Sequence, residues 1–153
     1  MSLRLYSNAF NSAGERVRIA LALKAIPYEY ISIQDLGWEE YTRINPQALL
    51  PTLKVDDDLI MQSTAILEYL EDVYPEPRLL PVAPHLKAQA RAFGQVIACE
   101  MHAVDVLRTR QYLQRELDAS KEGIERWTDF WFEKGMVALE GFLQMRREQT
   151  EFA

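Results

Sequence analysis

The chain of 153 residues is poor in the side chains that do most metal and redox chemistry, with one cysteine and two histidines. The single Cys99 can close no internal disulfide, which gives no support to an oxidising compartment and leaves the cytoplasm as the expected location. His85 and His102 stand far apart in sequence, so no metal site is expected. No stretch approaches the ~18 apolar residues of a membrane span. The N-terminal run from Met1 to Leu23 is interrupted by Arg4, Glu15, Arg16 and Arg18, so no targeting signal is read either. Basic residues are outnumbered by acidic ones, 17 to 23. The resulting charge of −6 repels phosphate backbones and anionic lipid, which argues against nucleic acid or a membrane as partner. What remains is a composition 48% hydrophobic and 26% charged, able to bury a core. The length allows one domain plus part of another, and excludes two of full size.

Proline is absent after residue 84 and clustered just before it, at Pro75, Pro77, Pro81 and Pro84. This concentration reads as a linker over 75–84, between a domain at 1–74 and a helical region at 85–153. In the first part, Leu3-Arg4-Leu5-Tyr6 alternates like a strand and a polar loop from Ser7 to Gly14 follows. A helix then runs from Glu15 to Ala25. Val17, Ala20, Leu21 and Lys24 form its stripe, and Ile19, Ala22, Leu23 and Ile26 widen it, so most of its surface is expected to be buried. Pro27 stops it. Tyr28 to Ile33 predicts a second strand, parallel to the first. The stretch from Gln34 to Asn45 is poorly patterned, with one short helix around Trp38 to Arg43. Thr52 to Val55 and Leu59 to Met61 predict a hairpin turning at Asp56-Asp57-Asp58, and Thr64 to Val73 a helix capped by Ser63. The order βαβ, loop, ββα is that of an α/β thioredoxin-like domain with a mixed sheet. Beyond the linker, Leu86 to Leu117 and Ile124 to Met145 predict two long antiparallel helices, too few to close a bundle.

Three junctions between sheet and helix carry chemistry. Asn11 and Ser12 precede a helix whose first N–H groups and partial positive charge favour an anion such as a thiolate. Lowering a thiol pKa by about two units asks for roughly 2.7 kcal/mol, within reach of one or two hydrogen bonds to a charged group. An arbitrary Asn-Ser pair would do no more than turn the chain and cap the helix. Leu50-Pro51 opens an apolar strand, where a missing N–H is tolerated and the backbone of Leu50 can pair with a bound peptide as if extending the sheet. Gln62 and Ser63 end a strand and open a helix, placed to hold the charged head of an amino acid or, more plainly, to cap.

Taken together with Arg16-Val17-Arg18-Ile19-Ala20-Leu21-Ala22-Leu23-Lys24, Asn45-Pro46, Leu50-Pro51-Thr52-Leu53 and Gln62-Ser63-Thr64-Ala65-Ile66-Leu67-Glu68-Tyr69-Leu70, the chain resembles the glutathione transferase superfamily. The likeness is to its zeta branch, which includes maleylacetoacetate and maleylpyruvate isomerases. It continues through Pro77-Arg78-Leu79-Leu80-Pro81 to Cys99, His102 and Arg108.

The resemblance implies glutathione as cofactor, bound by Leu50, Pro51, Gln62 and Ser63. It also implies a reaction in which the thiolate adds to a cis double bond and leaves after rotation, on a small carboxylated electrophile. In that family the loop before Arg16 reads Ser-Ser-Cys; here Asn11, Ser12 and Ala13 fill it, so Ser12 and Asn11 are the expected thiolate donors. Phe10 stands where an Arg often meets the substrate, and Leu49 where a polar residue often meets the glycyl carboxylate. Arg108 and His102 are the expected substrate-side residues. Cys99, His102, Asp105 and Arg108 recur every three residues on one helix; Cys99 is expected to act as a small buried hydrophobe rather than a nucleophile. The three tryptophans are expected to pack. Family members continue past the region of Phe152, so the helical region reads as incomplete and a homodimer is expected. The alternative is a non-catalytic glutathione-binding or protein-interaction module of the same fold. A glutaredoxin-like reductase would need a cysteine where Ala13 stands.

Overall fold

A computed structural model describes residues 2–149. The chain divides into two compact units, Met1–Leu80 and Pro81–Ala153.

The first unit runs β1 (Leu3–Ser7), α1 (Ser12–Leu23), β2 (Glu29–Ser32), α2 (Ile33–Leu36), α3 (Trp38–Ile44), β3 (Thr52–Val55), β4 (Asp58–Met61) and α4 (Ser63–Val73). The sheet order is β2-β1-β3-β4, with β2 parallel to β1 and the other neighbours antiparallel. The thioredoxin-like mixed sheet is therefore present, and the turn Asp56-Asp57 closes the hairpin with Asp56 at φ 49°.

Period-two alternation splits β1 between two cores. Leu3 and Leu5, with Leu53 and Val55, pack against Val17, Ala20 and Leu21 of α1 and Ile66 and Leu70 of α4. Tyr6 faces the other way, onto Ile33 and Tyr41. Three expectations need correction. The second strand stops at Ser32, and Ile33 instead opens α2 with its side chain fully buried under Tyr41. Helix α1 buries one stripe rather than most of its surface, since Ile19 and Leu23 are more than half exposed. Val17, Ala20 and Leu21 face the core and Lys24 continues their stripe, and residues two positions off that stripe point away from it. Ser63 does not cap α4: Gln62 is the N-cap residue, no side chain caps the helix, and Ser63 is its first residue.

In the second unit α5 (Pro84–Gln95) passes into a π-helical segment (Val96–His102), then α6 (Ala103–Asp105), α7 (Leu107–Glu116) and α8 (Lys121–Gln149). The expected helix from Leu86 to Leu117 is thus interrupted twice. Val106 is extended, at φ −60° and ψ 150°, and ends α6. The break is held from α8, where Trp127 donates Nε1–H to Val104 O at 3.0 Å and Thr128 donates to Asp105 Oδ1 at 2.7 Å. Periodicity could not reveal it, because the partners of that turn lie more than 20 residues away. Among the described residues of this unit, Met101 and Leu139 are the buried large apolar ones, and Gly135 leaves room for Met101. Phe130, Met136, Val137, Phe142 and Met145 of α8 are exposed. No described helix is long and apolar enough to cross a membrane.

Candidate functional site

The sheet register gathers the three junctions. Tyr6 pairs with Thr52, and Thr52 with Met61, in one row across β1, β3 and β4. The loop after β1, the loop before β3 and the turn into α4 therefore all leave the same end of the sheet.

At the first junction Asn11 is the N-cap of α1, its Oδ1 accepting the Gly14 N–H. The cap uses only the amide oxygen, which leaves the Nδ2 donors for a ligand. Ser12 opens the helix and is exposed. Gly14 is required here, because a Cβ would overlap the Ser7 hydroxyl and lie 2.6 Å from Asn11 Oδ1. Arg18 fixes the loop from below. It donates to Asn8 O at 3.1 Å and Ala9 O at 3.0 Å, pairs with Glu15, and lies 5.8 Å over the Tyr30 ring. Phe10, between these anchors, is fully exposed.

The second junction hangs on a buried polar network. The peptide bond Leu50-Pro51 is cis. Leu50 precedes the ladder, so no partner strand uses its N–H or C=O. The carbonyl just before it, Leu49 O, accepts from Tyr41 OH at 2.6 Å and from Asn45 Nδ2 at 2.8 Å. Thr52 Oγ1 lies 2.8 Å from Tyr41 OH and accepts from Asn45 Nδ2 at 3.0 Å, and Asn45 Oδ1 accepts the Gln47 N–H at 3.0 Å. Tyr41, Asn45 and Thr52 are all but inaccessible to solvent. Burial raises the Tyr41 phenol pKa, against smaller opposing effects of its bonds to Thr52 and Asn45, so it remains a proton donor to Leu49 O at neutral pH.

At the third junction Gln62 takes the left-handed region, at φ 71°, and donates Nε2–H to Gln47 Oε1 at 2.8 Å. Ser63 is 7% exposed and its Oγ accepts from Arg16 Nη1 at 2.7 Å. The first intrahelical bond is Ile66 N–H to Gln62 O, so the N–H groups of Ser63, Thr64 and Ala65 have no acceptor within the helix.

The structure thus brings Asn11, Ser12, Leu50, Pro51, Gln62 and Ser63 to one end of the first unit. His102 and Arg108 fall in the second. His102 ends the π segment half-buried, and Arg108 is exposed on the first turn of α7. The expected stripe Cys99, His102, Asp105, Arg108 does not exist as such, because the π turn and the break at Val106 rotate its members apart. Asp105 instead accepts from Thr128 and lies 3.7 Å from Arg110. Cys99 is exposed, contrary to the expected small buried hydrophobe, and donates to Gln95 Oε1 at 2.9 Å. No group of three or more metal-ligating side chains occurs among the described residues.

Sequence reasoning missed the residues that hold the site. Arg16 and the trio Tyr41, Asn45 and Thr52 gave no periodic signal, since their partners are distant in sequence or polar. Lys24 did give one: a lysine on the buried stripe of α1. Its side chain is wholly out of solvent, pairs with Glu71 Oε2 at 2.8 Å and donates to Tyr74 O at 2.6 Å and Pro77 O at 2.9 Å.

The family described as Glutathione S-transferase, N-terminal domain matches residues 5–78. Maleylpyruvate isomerase from Ralstonia sp is 35% identical over 156 residues, covering 99% of this chain and 73% of that protein. A probable maleylacetoacetate isomerase from Vibrio cholerae is 40% identical over 147 residues, covering 92% of this chain and 68% of its own. Among solved structures, maleylacetoacetate isomerase from Methylobacterium extorquens AM1 with bound malonate and GSH superposes with TM-score 0.86 at 36% identity, covering 92% of this chain and 68% of that one. The holo structure of a maleyl pyruvate isomerase described as a bacterial glutathione S-transferase in the zeta class gives 0.84 at 35% identity, over 90% and 67%.

Proposed function

The chain belongs to the glutathione S-transferase superfamily, among the maleylacetoacetate and maleylpyruvate isomerases and zeta-class transferases, and from that premise we propose that it is a glutathione-dependent cis-trans isomerase of small carboxylated electrophiles. When bound, glutathione supplies a thiolate that adds to the cis double bond and leaves after rotation, so it is regenerated. The observation that carries the reading is the row Tyr6, Thr52, Met61, which sends a helix N-terminus, an unpaired strand entrance and a second helix N-terminus to one end of the sheet.

The residues fit a γ-glutamyl tripeptide unevenly. Leu50 offers a backbone N–H and C=O for the cysteinyl residue in the manner of an added strand, and Pro51 fixes that entrance. Ser63, the free N–H groups of α4 and Gln62 suit the charged γ-glutamyl head. The glycyl end finds the apolar Leu49. At the thiol, Ser12 Oγ and Asn11 Nδ2 are the donors, with Ser12 ahead because a rotating hydroxyl adapts better to a large sulfur. The α1 N-terminus adds its partial positive charge. Arg108 and His102, both in the second unit, are assigned to the substrate side, Arg108 to a carboxylate.

In the same proposal, residues 1–74 are the glutathione-binding domain, 75–84 a linker and 85–153 the helical part, and the protein works in the cytoplasm as a homodimer. A specific observation favours a second reading. Phe10 is fully exposed where a cation would serve an anionic substrate, which suits a module that binds glutathione without turnover. Turnover of maleylpyruvate or maleylacetoacetate with glutathione separates the two. Ser12→Ala should lower kcat about tenfold or more, the size of one hydrogen bond to a charged sulfur. Binding with no turnover of either acid would leave the module.

A further inference from the structure

Arg16 has no role in the reading so far, yet it reaches from α1 across 47 residues to the Ser63 hydroxyl. We propose that Arg16 is a positioning residue that turns the Ser63 hydroxyl into a dedicated donor for the α-carboxylate of the γ-glutamyl group; the inference rests on the glutathione reading. A serine hydroxyl has one proton and two lone pairs, and a guanidinium has only donors. With Arg16 Nη1 filling a lone pair at 2.7 Å, Arg16 can take no proton from Ser63, so the hydroxyl proton must go to another acceptor. The Ser63 side chain sits beside the unbonded N–H groups of Ser63, Thr64 and Ala65. An anion there meets the hydroxyl proton, backbone donors and a guanidinium one bond behind.

The bond to Arg16 also fixes the Ser63 rotamer before ligand arrives, so less freedom is lost on binding. It further polarises the hydroxyl, since a group that accepts from a cation becomes a stronger donor. A role confined to joining α1 and α4 would need none of this, and would be indifferent to what the ligand carries at its γ-glutamyl end.

Isothermal titration of the full chain with two peptides makes the distinction. One is glutathione; the other is γ-aminobutyryl-cysteinylglycine, which keeps the ammonium but lacks the α-carboxylate. Arg16→Gln should weaken glutathione binding about tenfold or more while changing the affinity for the analogue by less than about twofold. Arg16→Lys, which keeps a cationic donor, should restore most of the loss. In a Ser63→Ala background, Arg16→Gln should cost less than about twofold further, because the residue through which it acts is gone. Equal weakening of both peptides by Arg16→Gln would overturn the proposal in favour of a structural tie, as would full additivity with Ser63→Ala. Should Arg16→Gln fail to fold, Ser63→Ala alone decides: it must lose the preference for glutathione over the analogue, and retention of that preference overturns the assignment. Wild-type chain that binds neither peptide would sink the glutathione reading itself, a result distinct from binding that ignores Arg16.

Discussion

Replacing Asn45 by alanine tests the frame that holds the site more sharply than any change at its surface. The side chain is 1% exposed and spends both ends on the loop: Nδ2 donates to Leu49 O at 2.8 Å and Thr52 Oγ1 at 3.0 Å, and Oδ1 accepts from Gln47 N–H at 3.0 Å. Leu49 O and Thr52 Oγ1 keep Tyr41 OH as partner, so no buried group is wholly orphaned. The loss is then two to three hydrogen bonds at about 1 kcal/mol each, or about 2–3 kcal/mol before any cavity cost. Tyr41→Phe in the same network removes the bond to Leu49 O, the one shared with Thr52 and the longer one from Asn45 Nδ2 at 3.3 Å, and, with almost no cavity left behind, should cost about 2 kcal/mol by the same measure. Hydrogen exchange of the β3 amides reports the opening of the first unit, where the network lies. Exchange limited by unfolding of that unit should accelerate roughly 30- to 150-fold in Asn45→Ala, more with the cavity cost, and about 30-fold in Tyr41→Phe. Glutathione affinity should fall in the same order, because the loop held by Leu49 O presents Leu50. If neither variant speeds exchange by more than about twofold, the network does not organise the loop and the reasoning fails.

Three further outcomes follow from the same geometry. Glu71→Ala leaves the wholly buried Lys24 ammonium without its carboxylate and should cost about 3–5 kcal/mol, whereas Lys24→Met with Glu71→Leu should cost clearly less; thermal unfolding of the two variants gives the order. Burial works to raise the Glu71 pKa but is outweighed by hydrogen bonds from Lys24 and from the Leu79 and Leu80 N–H groups, so the group is held below its ordinary 4.5. A depressed folded pKa contributes stability above about pH 4.5 that is lost as pH falls through the folded value, so the stability gap between wild type and Glu71→Gln should narrow on acidification; a gap independent of pH would refute the assignment. Gly14→Ala drives a methyl into the Ser7 hydroxyl and Asn11 Oδ1 and should cost about 1–3 kcal/mol, part of it recovered by adding Ser7→Ala, as chemical denaturation would register.

Much of the first unit was legible because its signals are local. The alternation of Leu3, Leu5 and Tyr6, the stripe Val17, Ala20, Leu21 and the acidic turn at Asp56 each determine an element through neighbours two to four residues away. The ends of elements were not so readable. Ile33 leaves the strand pattern because Tyr41 covers it, and Val106 breaks a helix because α8 supplies the partners. At the site, the local sequence places Ser63 at a helix start, suited to a charged ligand head or to a cap, but nothing in it shows that Arg16 occupies its oxygen. Asn45 was visible only as part of a motif, because a buried polar side chain is recognised by its partners and not by its neighbours in sequence.

The central claim is that this end of the sheet binds glutathione and stabilises its thiolate at Ser12 and Asn11. Titrating the bound peptide while following thiolate absorbance against pH measures both at once. Saturable binding is expected, with the thiol pKa lowered by about one to two units from ~8.5. Absence of binding would remove the glutathione site altogether, and binding with the thiol pKa unmoved would remove the thiolate chemistry from Ser12 and Asn11.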